Sequence, residues 1–248
     1  QITATDVDSS NTDDGTNAIT LNTTTGDIVT GTVDAGAAND VTLNAAANIT
    51  DAGMAGTVIT ADVLTADAGG SITVDTNVAS VDASTSAAGN IDIDESNAIV
   101  LTDLDTNNGS ITVDAGGAIT ATDVDSSNMD NDANDIALTT TADGIALGVV
   151  DAGAIGDVSL TSAGAITDTN GAGNNITAVD LNAAATAFGT AGDAIDTTVF
   201  DIAINTSAAG GSQVIEETDG LSSLDVNAGA GDVVRNAGGA IVDTDGTT

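Results

Sequence analysis

The sequence has no cysteine, histidine, lysine, proline, tryptophan or tyrosine, and only two phenylalanines and one arginine in 248 residues. Each absence removes a class of function. Without cysteine there is no disulfide framework, no thiolate metal site and no thiol nucleophile. Without histidine there is no imidazole acid–base pair and no His-ligated zinc. Arg235 alone cannot neutralise a run of phosphates, which excludes nucleic-acid binding. No apolar run approaches the ~20 residues that a membrane-spanning helix needs. The shortage of aromatic rings argues against an ordinary globular core, where such rings supply much of the buried area.

What is present is acid and small apolar residues. The chain carries 38 acidic residues and a formal net charge of −37. Glu95, Glu216 and Glu217 are the three glutamates, and every other acid is aspartate. Such a charge suggests disorder, but 41% of residues are apolar, mainly Ala, Val, Ile and Leu, at regular intervals. That spacing favours a folded chain with its acids outside.

The strongest signal is internal repetition. Ile2-Thr3-Ala4-Thr5-Asp6-Val7-Asp8-Ser9-Ser10-Asn11 recurs unchanged from Ile119 to Asn128, an offset of 117 residues. Asp40-Val41-Thr42-Leu43 returns at the same offset as Asp157-Val158-Ser159-Leu160. The offset grows to 121 and then 122 farther on, so the second copy gains four residues between Ala178 and Thr206 and one near Gly211. The division is residues 1–117 for one unit, 118–239 for a second, and 240–248 for the start of a third. Both ends fall inside the pattern, so the chain is expected to belong to something longer.

A finer period of about 20 residues runs within each unit. Short segments such as Ser71-Ile72-Thr73-Val74, Asn90-Ile91-Asp92-Ile93 and Ser110-Ile111-Thr112-Val113 alternate apolar with polar residues, the mark of a half-buried strand. Gly, Asn and Asp follow as turn formers. One such strand cannot bury its own apolar face, but stacked ones can. The predicted fold is all-β, a parallel β-solenoid with rungs of about 20 residues and about twelve rungs, aligning Thr, Asn and Val into ladders. Tandem immunoglobulin-like sandwiches are the rival, and they lack here the aromatic anchors that fold uses.

The phrases Gly109-Ser110-Ile111-Thr112-Val113-Asp114-Ala115-Gly116-Gly117-Ala118-Ile119-Thr120-Ala121 and Gly156-Asp157-Val158-Ser159-Leu160-Thr161-Ser162-Ala163-Gly164-Ala165-Ile166-Thr167-Asp168 resemble filamentous-haemagglutinin-type repeats. The resemblance is one of repeat style and covers nearly the whole chain. It implies a parallel β-helix shaft in a long secreted bacterial adhesin, located extracellularly or on the cell surface. It transfers no site residues.

Aspartate has two readings. It makes turns, where its short side chain accepts from nearby backbone N–H groups. It also suits calcium, a hard cation that takes oxygen ligands. The candidate metal ligands are Asp6, Asp8, Asp13 and Asp14, with Asp123, Asp125, Asp130 and Asp132 in the second copy. Neither an EF-hand loop nor a calcium-binding nonapeptide is present. Stacked rungs would also bring like charges ~4.8 Å apart, which cations would relieve. Catalysis is not expected. Phe188 and Phe200 are expected to fill core at a widened rung, and Arg235 to be a lone ion-pair partner.

The functional expectation is therefore a stiff acidic shaft in an extracellular fibre or surface adhesin, continuing in a longer chain or self-associating end to end. The alternatives are an adhesion module that binds glycans or cells directly, and a calcium-dependent matrix or sheath subunit.

Overall fold

A computed structural model describes residues 1–11, 13–53 and 58–242. Among them are twenty β-strands and one short 3-10 turn at Ser127–Met129. Every pairing between these strands is parallel, each strand lying on the one a full turn earlier in the chain. The fold is a parallel β-solenoid. No helix among the described residues is long and apolar enough to cross a membrane.

The alternation seen in the sequence is what builds it. In Ile111–Ala115 the residues Ile111, Val113 and Ala115 point inward and are buried, while Asp114 is exposed. Successive turns place like residues in register. One inner column climbs from Ile2 through Ile28, Ile49, Ile72 and Ile91 to Ile111. It continues through Ile136, Val158, Leu181 and Ile202 to Leu224. Those ten steps are ten turns, about 48 Å of shaft at a strand spacing of ~4.8 Å. The expected twelve came from a uniform rung of about 20 residues. Real turns are uneven, because surface loops lengthen some of them, as between Ile2 and Ile28 or Ile111 and Ile136.

A second column faces the first across the core. It rises through Ile19, Val41, Leu64, Val81, Leu101, Ala121 and Leu147. The repeated sequence falls on both columns. Ile2 opens the first, whereas its counterpart Ile119 shares a strand with Ala121 in the second. Conversely, Ile19 opens the second column and its counterpart Ile136 lies in the first. The 117-residue offset thus spans five and a half turns, and the same motif stands on opposite faces of the shaft.

Corners are held by small residues and amide ladders. At Gly109 an added Cβ would sit 2.1 Å from the Gly89 carbonyl oxygen of the turn beside it, so only glycine lets these backbones stack. Outside, Asn44 Nδ2 donates to Asn22 Oδ1 at 2.7 Å and Asn97 Nδ2 to Asn77 Oδ1 at 2.6 Å. These are the expected asparagine ladders.

Two expectations for single residues need correction. Phe188 is fully buried, but Phe200 is 57% exposed. Val199 points inward, and strand alternation sends its neighbour out. Arg235 is in register with Ile215, and among the described residues it pairs with an amide rather than an acid: its Nη2 donates to Gln213 Oε1 at 3.0 Å. Its Nε and Nη1 are buried without partners among the described residues, and burial lowers its pKa to about 10.

Candidate functional site

The acids of the repeated motif lie at strand ends and in the loops that follow. Asp8 Oδ1 accepts from Ser10 N at 2.8 Å and Ser10 Oγ at 2.7 Å, and the Ser10 hydroxyl and amide hold its carboxyl below the ordinary value. Asp125 Oδ1 accepts from Ser127 N at 2.6 Å. Both are Asx turns. Asp14 accepts from the Thr16 amide and hydroxyl.

Asp13 and Asp130 reach farther. Asp13 accepts from Ala37 N at 3.2 Å, Ala38 N at 2.7 Å and Asn39 Nδ2 at 3.2 Å, all one turn along the shaft. Asp130 accepts from Ala154 N and Ile155 N, each at 3.1 Å. Beneath them Gly36 and Gly153 adopt φ of +84° and +81°. A Cβ on either would run into the carboxylate, at 2.8 and 2.4 Å from its Oδ1. Each aspartate therefore clamps the turn of the next rung. Asp6 and Asp132 are exposed. Asp123 stands above its ordinary pKa through burial and the nearby charges of Asp103, Asp125 and Asp151. Among the described residues no three acidic side chains gather closely enough to hold an ion.

Acids also stack in direct register on successive turns, as Asp75, Asp94 and Asp114 do, and as Asp105, Asp125 and Asp151 do. Burial, followed by Asp51 and Asp94, raises the pKa of Asp75. Burial followed by Asp125 raises that of Asp105. The first ladder borders a groove of about 410 Å³ that also contains Glu95.

Glu95 is only 4% exposed. Its Oε2 accepts from Thr76 Oγ1 at 2.9 Å and Val78 N at 3.0 Å, and its Oε1 from Asn97 N at 2.9 Å. Glu217, the counterpart 122 residues on, is 2% exposed and accepts from Thr197 Oγ1 and Val199 N. Each glutamate replaces a missing backbone partner where the chain turns a corner. The sequence holds a signal for them, since two of the three glutamates occupy one repeat position, but apolar spacing alone does not reveal it.

A different groove, of about 210 Å³, has Phe200 as its wall, with Asp219, Thr177 and Thr198 around it. Its counterpart in the first copy has Ala79, Asn97, Thr60 and Asn77 at the same places. The second copy thus adds an aromatic face and a carboxylate to a shape that both copies share. No protein-family model matches the chain, and no curated protein or solved structure matches it either.

Proposed function

We propose that the chain is a structural segment of an extracellular fibre or surface adhesin and acts as a stiff acidic shaft. The observation that supports this most is the parallel column that runs through ten turns from Ile2 to Leu224, with some of the surface acids tied into turns and rung-to-rung clamps. In this reading the shaft carries load and distance, and no catalytic step is part of it. Continuation in a longer chain or end-to-end stacking completes the picture. A calcium-dependent sheath subunit, with the ion near Asp6–Asp14 or Asp123–Asp132, is a variant of this reading.

Antibodies raised against the purified chain should label the outside of intact producing cells. Labelling that needs permeabilised cells would overturn the proposal.

The Phe200 groove favours one second reading, direct adhesion to a glycan. An aromatic face takes the apolar side of a sugar ring, while a carboxylate and hydroxyls take its hydroxyl groups. The surrounding acids restrict this to neutral or amino sugars. On an array of immobilised oligosaccharides the chain should bind such sugars, with binding lost in Phe200→Ala and kept in Ala79→Ser. Identical profiles for the two variants would remove the glycan reading and leave the shaft untouched.

A further inference from the structure

The second copy holds one acidic corner that the turn and clamp roles do not explain. Asp168 lies in register with the fully buried Leu147, so its side chain occupies a core position. It is 7% exposed. Its Oδ1 is well satisfied, by Asn170 N at 2.8 Å and Asn175 Nδ2 at 2.7 Å. Its Oδ2 is buried and has no hydrogen-bond partner. An unpartnered carboxylate oxygen in a core is costly, and something must compensate it.

What lies next to it is another acid. The carboxyl of Asp193 is within hydrogen-bonding reach of Asp168. Asp193 closes a tight turn in which Thr190 N donates to Asp193 O at 2.8 Å and Asp193 N to Thr190 O at 3.0 Å. That turn falls in the stretch between Ala178 and Thr206, where the second copy gains its extra residues. Asp196 and Glu216, in register on adjacent turns, add further negative charge close by. The first copy has a simpler version of this corner. There Asp51 and Asp75 stand in the places of Asp168 and Asp196, and Asp51 Oδ1 accepts from Gly53 N at 2.6 Å. The extra turn thus brings a second carboxylate to an oxygen that is already buried.

We propose that Asp168 and Asp193 bind a divalent cation, with calcium the best match, and that the ion locks the inserted turn onto the shaft. The two carboxyl groups face each other here, no donor from another described residue reaches Asp168 Oδ2, and a cation is attracted where a neutral ligand would not be. The exposed Asp193 side leaves room for water to complete the six to eight oxygens that calcium takes. Magnesium demands a near-ideal octahedron, which an irregular turn does not offer. With two protein carboxylates the affinity falls in the range of about 10⁻⁴ to 10⁻³ M typical of extracellular modules. The ion would work on this turn alone, so the proposal stands apart from the shaft reading and from the loops of the repeated motif.

Calorimetric titration of the whole chain with calcium chloride, at pH 7.5 in 0.15 M sodium chloride, tests it. One saturable site is expected, weakened at least ~10-fold in Asp193→Asn and unchanged in Asp225→Asn, which removes the same charge from an exposed strand. Asp193 is exposed, so its variant should keep the strand signal of the parent in circular dichroism, which shows that a lost site is not a lost fold. Absence of a saturable site, equal weakening in both variants, or a site indifferent to Asp193→Asn would overturn the proposal. A pair that shares a proton instead of an ion gives the first of these results.

Discussion

Lowering the pH from 7.5 to 5.0 at low ionic strength should raise the melting temperature of this protein, by on the order of 5 °C. Among the described residues eleven carboxyl groups are held above their ordinary values, and burial is the largest cause in each. For most of them a neighbouring acid on the stacked turns adds to it. Glu217 is pushed up to about 7. A carboxyl raised in the folded state keeps its proton while the unfolded chain has already released its own. Between those two values the folded state binds more protons, so stability falls as pH rises through the window and is regained as pH falls. For Glu217 the gain builds as pH falls through about 7 toward its ordinary value.

The opposite sign applies to Asp8 and Asp219, whose carboxyls are held low by hydrogen bonds from neighbouring groups. Their contribution is present at neutral pH and is lost only as pH drops below the usual carboxylate range. A stability maximum on the mildly acidic side of neutrality follows. Calorimetric melts at pH 5.0 remain above the isoelectric point of about 4.1 and limit precipitation. In 0.5 M sodium chloride the part due to acid–acid repulsion should shrink, because added salt screens exposed charges. A melting temperature that is flat or falls on acidification would contradict this account of the stacked acids.

The second large effect comes from the buried glutamates. Glu217→Ala should destabilise the fold by about 2–4 kcal/mol, since it leaves the Val199 amide and the Thr197 hydroxyl buried without an acceptor. Glu95→Ala should behave alike, because Val78 and Thr76 depend on it in the same way. Glu216→Ala is the control. Its side chain is exposed beside Glu217, and its removal should stay within about 0.5 kcal/mol. Glu217→Gln keeps an acceptor and should cost less than Glu217→Ala, while removing its share of the acid stabilisation. Denaturant melts of the four variants decide this. Equal stability for Glu216→Ala and Glu217→Ala would show that the corner does not need its carboxylate.

The strands were legible because alternation is local: Ile111, Val113 and Ala115 announce an inner face without any knowledge of their neighbours. The stacking was legible because the alternation repeats. What stayed hidden depends on contacts one turn away. Asp13 and Asp130 look like loop acids or metal ligands in the sequence, and only the next rung shows them gripping Ala38 and Ile155. The chemistry of Phe200 points to the core, although Val199 beside it already occupies the inward position. Asp168 reads as another turn aspartate, and its burial becomes visible only once Leu147 lies under it.

The opposed placement of Ile2 and Ile119 gives the shaft an approximate twofold screw axis along its length. Whatever a repeat displays on one side, the next displays on the other, about 26 Å farther along, since five and a half turns separate them at ~4.8 Å each. A longer chain of such units would have no front or back. It could be gripped from two opposite sides at regular intervals, which suits a strut that joins neighbours on both flanks better than one that lies flat on a single surface.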